Sequence, residues 1–366
     1  MLKQISANLD NKIFNVFISE SALENFFLYL QTYQKKNVLI VVDSVFKKKN
    51  HPDKILSKIL NKYQKVYINA GLKNKNFSTV LNILKKLNQQ KISRDGLVVA
   101  LGGGVIGDIA AFVASIYKRG INLIHVPTSV TAMVDSCIGG KTGINSFGQV
   151  NLIGSYYQPQ SVFVDVRFLK TLKKRDYVSG LAESIKKSII NNNSLFEFLN
   201  SNSKEILSLK TEILIELIYL SIESKLNLIS GDVRENSSRL LLNYGHTFGQ
   251  AFESYYGINE KFLTHGEAVS LGMVCAAKLS ELLKESKNIL EIQKDILNKF
   301  QLPIHFRNLK KKNKPQLKLL MDFLKNDKKV IKNSNRFIIA SSISNGKIVN
   351  NIKSNLIKES FKEVLK

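Results

Sequence analysis

The sequence predicts an α/β protein in which an N-terminal Rossmann-like domain, built on a parallel sheet, precedes a mainly α-helical C-terminal domain. Three observations lead to this prediction. Apolar β-branched runs alternate with helical patterns from about residue 37 to about residue 170, and a glycine-rich turn joins a strand to a helix within that stretch. Helical periodicity then dominates the rest of the chain.

The N-terminal half alternates strands with helices. Apolar residues recur at helical spacing over 53–63, 77–89 and 108–118, which predicts three helices. Because strands that alternate with helices pair in parallel, the pattern indicates a parallel sheet with helices on both faces. Strands are predicted for the apolar runs 37–43, 65–70, 96–101, 121–127 and 161–166.

From about residue 171 onward, helices replace strands. The helical segments run from YVSGLAESIKKSII to LEIQKDILNKF. The change places a boundary near 165–175, and we expect domains at 1–170 and 171–366. A cleft between two such domains is the expected place for a binding site.

Composition bears on the class of partner. The chain has 366 residues, 44% hydrophobic and 23% charged, as globular proteins do. Its net charge of +25 raises the question of nucleic-acid binding, but only 8 of its 54 basic residues are arginine and few aromatics lie among them. We therefore expect no nucleic-acid partner, and a surface whose positive field can steer an anionic small molecule.

No segment predicts secretion or membrane insertion. The N-terminus lacks the apolar core of a signal peptide. Glycines and Asp108 interrupt the most apolar stretch, 97–117, which favours a strand, a turn and a helix over a membrane span. Cys137 and Cys275 are too few for a disulfide scaffold or a thiolate zinc site. We expect a cytoplasmic protein without a membrane partner.

The segment LGGGVIGD, residues 101–108, has the features of a phosphate-binding turn. Gly102, Gly104 and Gly107 satisfy G-x-G-x-x-G between a strand and a helix. Glycines let backbone N–H groups approach a pyrophosphate, and the helix N-terminus favours its charge. The pattern predicts a bound dinucleotide, although a plain tight turn can look the same. Asp43, which ends an earlier strand, suits a ribose or adenine edge, or else caps the next helix.

The loop 127–145 is dense in small polar residues. Its length and composition favour a functional role over a simple connection. Within it, Gly139–Gly140–Lys141 can set a lysine against a phosphate, or can form a surface turn.

Two of the five histidines, His246 and His265, each enter an apolar helix. Catalytic zinc commonly takes three ligands from His, Asp and Glu and keeps one position open. Glu183 is the candidate third ligand, and Lys186 shares its helix face. The alternatives are structural histidines and a solvated Glu183–Lys186 ion pair.

Polar residues recur every three or four positions before and within the first of these helices. Because such a stripe flanks the apolar run 240–242, it indicates a lined cavity rather than a core face. We expect Asn243, His246 and Gln250 to share one face. The whole series is Asp232, Glu235, Arg239, Asn243, His246 and Gln250.

Taken in their order along the chain, these motifs resemble those of the 3-dehydroquinate synthase family of sugar-phosphate cyclases. The resemblance runs from about residue 37 to about residue 340. The stretches that carry it are LGGGVIGD, YKRGINLIHVPTS, VDSCIGGKTGIN, GLAESIKK, LLNYGHTFG, THGEAVSLGM and NDKKV.

The resemblance implies a dehydroquinate synthase-like fold and a homodimer that binds NAD⁺ and one divalent metal, zinc or cobalt. The implied reaction belongs to the shikimate pathway of aromatic amino acid biosynthesis. It converts 3-deoxy-D-arabino-heptulosonate 7-phosphate to 3-dehydroquinate and phosphate. Transient oxidation, phosphate β-elimination, re-reduction and an intramolecular aldol closure give a net lyase reaction.

The resemblance also implies roles by position. Glu183, His246 and His265 match the metal ligands, and Arg119 matches an arginine that reaches the phosphate across the dimer. Positions near the chemistry are Asp135, Lys141, Lys186, Glu235 and Asn243. Substrate contacts are Arg119, Asn151, Lys186, Lys225, Arg239, Asn243 and Lys328. Cofactor contacts are Asp43, Gly71, Lys75, Gly104, Val105, Ile106, Gly107, Asp108, Thr128, Ser129, Lys141, Phe168, Leu169, Lys170 and Thr171.

The chain departs from the family pattern at three informative positions. Gln250 stands where the family usually has a histidine that assists proton movement. Leu72 replaces a glutamate that holds a ribose, and Val150 replaces a lysine that helps bind the cofactor. Since each polar contact is worth about 0.5–3 kcal/mol, we expect an active enzyme with weakened NAD⁺ binding.

Three alternatives remain open from the sequence. Another sugar-phosphate cyclase, making an inosose or a valiolone, would share the metal and NAD⁺ positions, although Lys225, Arg239 and Asn243 favour a substrate with a carboxylate. An NAD- and metal-dependent polyol dehydrogenase can have the same two-domain plan. A catalytically decayed cyclase can persist as a basic binding protein.

Overall fold

The computed structural model of the protein describes residues 1–47, 54–257, 262–309, 314–325 and 336–366. Two compact units are present: Met1–Leu172 with Leu214–Leu226, and Lys173–Ile213 with Asn227–Lys366. The two units are defined by which residues pack together. The assignment of an NAD-binding domain to 1–170 and of a metal- and substrate-binding domain to 171–366 remains a prediction.

The first unit alternates strands with helices for most of its length. Its elements in chain order are β1 (Leu2–Leu9), β2 (Lys12–Ser19), α1 (Ala22–Leu30), β3 (Val38–Asp43), α2 (Lys54–Lys62), β4 (Gln64–Ile68), α3 (Phe77–Gln89), β5 (Leu97–Gly102), α4 (Gly104–Ile116), β6 (Asn122–Pro127), β7 (Ile144–Ser146), β8 (Gln149–Ile153) and β9 (Ser161–Asp165).

Seven of these strands form one sheet in the order β1-β2-β9-β6-β5-β3-β4. All neighbours pair in parallel except β1 and β2, which form an antiparallel hairpin. Strands β5 and β9 are buried along their whole length, as expected of strands covered on both faces. Side chains of α3 and α4 pack against β3 and β5 to form a hydrophobic core that includes Val41, Val98, Ile109 and Val113.

The second unit is mainly helical. Its elements are α5 (Lys174–Asn191), α6 (Asn193–Ser201), α7 (Ser203–Leu207), α8 (Thr211–Ile229), α9 (His246–Tyr255), α10 (His265–Leu282), α11 (Ile289–Lys299), α12 (Leu317–Lys325), β10 (Arg336–Ser342), β11 (Asn345–Asn350) and α13 (Ser354–Leu365), and the middle of α8 belongs to the first unit. The buried helix α10 packs against α5, α9, α11 and α13 and is the centre of this unit. Within the described ranges, no helix is both long and apolar enough to cross a membrane.

The parallel sheet and the helical second unit confirm the predicted fold class. The predicted helix at 108–118 begins earlier, at Gly104, because the glycine turn itself forms the first turn of α4. Asn243 does not share a helix face with His246 and Gln250, contrary to our expectation. It ends a 3₁₀ helix, and Gly245, at φ 76°, separates that helix from α9.

Candidate active site

The glycine turn of the first unit is shaped for close approach by a ligand. A Cβ atom on Gly103 would lie 3.3 Å from Ser129 Oγ, and one on Gly104 would lie 3.1 Å from Ser136 Oγ. Side chains at these positions would therefore crowd both hydroxyls. With glycine there, the hydroxyls of Ser129 and Ser136 lie close to the backbone at the start of α4. This arrangement suits the phosphates of a dinucleotide.

The predicted cofactor positions follow the carboxyl ends of parallel strands. Asp43 ends β3, Gly71 follows β4, Gly104 follows β5, Thr128 follows β6 and Phe168 follows β9. Because the carboxyl ends of parallel strands lie along one edge of a sheet, these residues line that edge. In open α/β sheets this edge is where ligands bind.

Asp43 also has the structural role that the sequence left open. Its Oδ1 atom accepts a hydrogen bond from the N–H of Val45 at 3.1 Å. Burial raises the pKa of Asp43 above its ordinary value, although this hydrogen bond opposes the shift. Both the capping role and the ribose contact are therefore compatible with its position.

A buried lysine ties the start of α4 to the hairpin β7–β8. The Nζ atom of Lys75, which is 3% exposed, contacts the Asp108 carboxylate and donates to the Asn151 side-chain oxygen. The backbone of Asn151 is left-handed, at φ 51°, and its N–H donates to the side chain of Asn145 at 3.0 Å. Lys75 therefore orients two predicted ligand-binding residues.

A second buried lysine of this unit contacts the loop after β6. Lys225, in α8, lies 2.7 Å from the backbone oxygen of Asp135 and 2.9 Å from its Oδ1 atom. Asp135 belongs to a turn of π-helix, Ala132–Ser136, a form common at functional sites. The ammonium group thus fixes this carboxylate within the polar loop 127–145.

Three other predicted basic residues of this unit, Arg119, Lys141 and Lys170, are exposed. Lys141 follows two glycines of positive φ, 92° and 68°, and forms an isolated β-bridge with Tyr156. Arg119 has φ 65° and lies between Lys118 at 48° and Gly120 at 117°. Left-handed backbone costs a non-glycine residue about 1 kcal/mol or more, so two adjacent cases mark an unusual turn that presents Arg119 to its surroundings.

In the second unit, Glu183, His246 and His265 come together. Glu183 lies within α5, whereas His246 and His265 are the first residues of α9 and α10. Glu183 Oε1 lies 3.6 Å from His246 Nε2 and 3.4 Å from His265 Nε2. The three ligand atoms all lie within 4.8 Å of one another, so they can hold one metal ion.

Local sequence explains why both histidines begin helices there. Gly245, at φ 76°, allows the sharp entry into α9. Thr264 and Glu267 form a capping box that starts α10 at His265. Any side chain at Gly266 would lie 1.8 Å from the carbonyl oxygen of Ser179, so glycine is needed for α10 to approach α5 closely.

Neighbouring groups fix the charge and orientation of these ligands. Lys186 Nζ lies 2.5 Å from Glu183 Oε2, and both side chains are almost fully buried. The alternative was a solvated ion pair between Glu183 and Lys186. The ion pair forms, but it is buried rather than solvated. Although burial lowers it, the carboxylates of Glu253 and Glu183 raise the pKa of His265 to about 10.

The remaining polar residues form a bent loop before α9. The buried Asp232 accepts from the N–H groups of Asn236 and Ser237 at 2.7 Å and of Arg239 at 3.0 Å. Arg239 is 1% exposed, and its guanidinium donates to the backbone oxygen of Val233 at 2.6 Å.

Next to this loop, two more predicted residues contact each other. The Asn243 amide donates to Glu235 Oε1 at 2.6 Å, and Glu235 has φ 64°. This contact joins the loop to the residues just before α9. The loop thus collects polar groups close in sequence to the histidine that begins this helix.

Replacing Asp232 by alanine should lower the free energy of unfolding by about 1–3 kcal/mol, because three N–H groups, of which that of Arg239 is buried, lose their acceptor. Desolvation raises the pKa of Asp232, but these hydrogen bonds outweigh it and the net pKa is lowered. The contribution is therefore present at neutral pH and is lost as pH falls through the lowered pKa. Urea unfolding of both proteins at pH 7 and at pH 3 measures it. An equal stability difference at both pH values would contradict this role.

Comparison with known proteins gives matches to two successive parts of the chain. Residues 65–179 match the family described as 3-dehydroquinate synthase N-terminal, and residues 180–330 match 3-dehydroquinate synthase C-terminal. The chain belongs to the 3-dehydroquinate synthase family. A relative from Buchnera aphidicola subsp. Cinara cedri, named 3-dehydroquinate synthase, is 38% identical over 99% of this chain and 97% of its own.

Solved structures of other enzymes have a similar fold. The structure of 2-deoxy-scyllo-inosose synthase, complexed with carbaglucose-6-phosphate, NAD⁺ and Co²⁺, has a TM-score of 0.82 and 27% identity, covering 100% of both chains. The 2-epi-5-epi-valiolone synthase of Streptomyces hygroscopicus subsp. jinggangensis 5008 has a TM-score of 0.84 at 22% identity and covers 100% of this chain and 98% of its own. The second likeness bears on the fold alone.

The residues that depart from the 3-dehydroquinate synthase pattern are located as follows. Gln250 is exposed on α9, one turn after His246. Leu72 opens a short 3₁₀ helix after Gly71, and Val150 is 40% exposed on β8. Lys328 lies outside the described residues.

Two residues at these clusters, Ser136 and Glu253, were not predicted from the sequence, and Asp232 was predicted only as part of the polar stripe. Ser136 faces the glycine turn, and Asp232 organises the loop that holds Arg239. Glu253 contacts His265 and lies seven residues after His246, on the same face of α9. Its helical spacing from His246 indicates that Glu253 lies on the same side of α9 as that histidine. The contact of Glu253 with His265 could not be predicted from the sequence.

Proposed function

We propose that this protein is a 3-dehydroquinate synthase that converts 3-deoxy-D-arabino-heptulosonate 7-phosphate to 3-dehydroquinate and phosphate in aromatic amino acid biosynthesis. The observation that carries the proposal is the convergence of Glu183, His246 and His265 within 4.8 Å of one another in a chain of this family. One carboxylate and two imidazoles are a donor set typical of catalytic zinc.

The cofactor assignment rests on the glycine turn and on the solved relative. The relative that is 27% identical is complexed with NAD⁺ and Co²⁺. When bound, NAD⁺ supplies a reversible hydride acceptor and a divalent metal, zinc or cobalt, supplies a Lewis acid. We assign NAD⁺ contact to Asp43, Gly71, Lys75, Gly104, Val105, Ile106, Gly107, Asp108, Thr128, Ser129, Lys141, Phe168, Leu169, Lys170 and Thr171.

Buried cations of this chain match an anionic substrate. Lys186, Lys225 and Arg239 are each less than 5% exposed. Lys186 and Lys225 are already held by Glu183 and Asp135, which fixes their ammonium groups in place. Cations oriented in this way can bind a substrate that carries one phosphate and one carboxylate. We assign substrate binding to Arg119, Asn151, Lys186, Lys225, Arg239, Asn243 and Lys328.

The polar residues of the substrate set hold protons and orient groups during the reaction. Asn243 and Glu235 contact each other, so the amide fixes a carboxylate that can accept a substrate hydroxyl proton. Asp135 is held by Lys225, which orients its carboxylate. Lys141 and Lys186 complete the assigned catalytic set as electrostatic stabilisers of the departing phosphate.

A homodimer follows from the role assigned to Arg119. Its exposure and its left-handed backbone suit a side chain that serves a neighbouring subunit rather than its own. We propose a C2 dimer in which each protomer contributes Arg119 to the other, since such contacts are reciprocal.

A phosphate-release assay with 3-deoxy-D-arabino-heptulosonate 7-phosphate tests the proposal. We expect release that requires zinc or cobalt and catalytic NAD⁺, with no accumulation of NADH, because the hydride returns at each turnover. Glucose 6-phosphate and sedoheptulose 7-phosphate, the substrates of related cyclases, should release no phosphate. Turnover of either would identify another cyclase, NADH accumulation a polyol dehydrogenase, and inactivity with salt-sensitive DNA binding a decayed enzyme.

A further inference from the structure

The two histidines of the metal-ligand set have different supports for their second ring nitrogen. His246 Nδ1 lies 3.2 Å from the backbone oxygen of Tyr244, whereas His265 Nδ1 lies 3.0 Å from Oε1 of Glu253. In both rings the other nitrogen, Nε2, faces Glu183. The two rings contact each other edge to face, with centroids 5.3 Å apart.

In the neutral rings that metal binding requires, these contacts select one tautomer each. A nitrogen that donates its proton to an oxygen cannot at the same time bind a metal, so Nδ1–H toward Glu253 leaves the lone pair of His265 on Nε2. The Nε2 atom is the one that lies among the ligand atoms. The carboxylate thus directs the ring in the sense that metal binding requires.

His265 depends on this support more than His246 does. The His265 side chain is 42% exposed, against 17% for His246, so less packing restrains its ring. Glu253 is 22% exposed and lies on α9, the helix that His246 begins. A single helix therefore provides one ligand and the group that orients another.

We propose that Glu253 is a positioning residue for the metal site, acting through His265 without binding the metal itself. The inference rests on the proposed function, since it concerns the metal of that site. The Glu253 carboxylate has two effects on His265. It leaves Nε2 as the nitrogen that binds the metal, and it makes the ring a stronger electron donor to that metal.

Zinc affinity measured by competition with a chromogenic chelator tests the inference on the full-length protein. Loss of an outer carboxylate typically weakens metal binding by about 10–100-fold, and we expect this for Glu253→Ala. Glu253→Gln keeps an oxygen that can accept the Nδ1 proton but loses the negative charge, so its zinc affinity should fall by more than about twofold and by less than that of Glu253→Ala. Activity at saturating zinc should recover more fully in the glutamine variant than in the alanine variant.

Glu281→Ala is the matched control. Its side chain is 21% exposed and pairs with Lys278 at 3.5 Å on α10, so the substitution removes a similar surface carboxylate without contact to a ligand histidine. This variant should bind zinc as the unmodified protein does. Cobalt(II) absorption adds a spectroscopic check, because a change in the ligand set alters the visible bands of the bound ion.

The outcomes separate the inference from the proposed function. Zinc affinity of Glu253→Ala within twofold of the unmodified protein would overturn the inference alone. Failure of the unmodified protein to bind zinc or cobalt would overturn the proposed function and the inference together. If Glu253→Ala does not fold, Glu253→Gln decides, since an unchanged cobalt spectrum and affinity in that variant would also count against the role of the charge.

Discussion

Replacing His246 by alanine should reduce phosphate release from 3-deoxy-D-arabino-heptulosonate 7-phosphate by about 10³-fold or more. A bound metal contributes several kcal/mol of charge stabilisation, and each 1.4 kcal/mol corresponds to about a factor of ten in rate. His246 is the better ligand to remove, because loss of Glu183 would leave the buried Lys186 ammonium unpaired and destabilise the fold by about 3–5 kcal/mol. Zinc binding and steady-state turnover, measured on the same preparation, test the expectation.

His305→Ala is the matched control for this variant. Its Nδ1 atom lies 3.1 Å from the backbone oxygen of Glu363, much as His246 Nδ1 lies 3.2 Å from that of Tyr244. Both rings are partly buried in the second unit, but His305 is not among the clustered ligands. Turnover of His246→Ala within tenfold of His305→Ala, at equal stability, would contradict a catalytic metal at this position.

The fold could be predicted where burial leaves a clear pattern. Strands covered on both faces, such as β5, appear as continuous apolar runs, and the glycine turn marks where α4 begins. The hairpin β1–β2 was missed, although its turn residues Asp10 and Asn11 have φ 52° and 59°, a type of turn that Asp and Asn favour. Its strands alternate more exposed with more buried residues and therefore lack a continuous apolar run.

The candidate site could be predicted only where residue type reveals the chemistry. Histidines at helix starts and a glycine-rich turn are uncommon enough to stand out along a sequence. Asp232 and Glu253 are ordinary carboxylates whose roles depend on which groups the fold brings to them. Orientation of a ligand by a distant carboxylate is a tertiary contact, and helical spacing alone does not indicate it.

Replacing Gln250 by histidine should raise kcat by about 10²-fold. The 3-dehydroquinate synthase resemblance places a proton-moving histidine at this position, and a glutamine amide carries no proton that titrates near neutral pH. A positioned acid or base contributes about 10²–10⁴-fold. We expect the lower end, because the departing phosphate can itself accept the proton from carbon.

The location of Gln250 makes this gain structurally feasible. The residue is exposed on α9, one turn beyond His246 and one turn before Ser254, so an imidazole there needs no repacking of the core. The pH profile gives the decisive measurement, since Gln250→His should add an inflection near pH ~6.5 that the unmodified enzyme lacks. Gln250→Asn, which shortens the side chain without adding a titrating group, should gain neither rate nor inflection. If the histidine variant behaves like the asparagine variant, the departing phosphate alone accepts the proton from carbon. The side chain at position 250 would then not limit kcat in this enzyme.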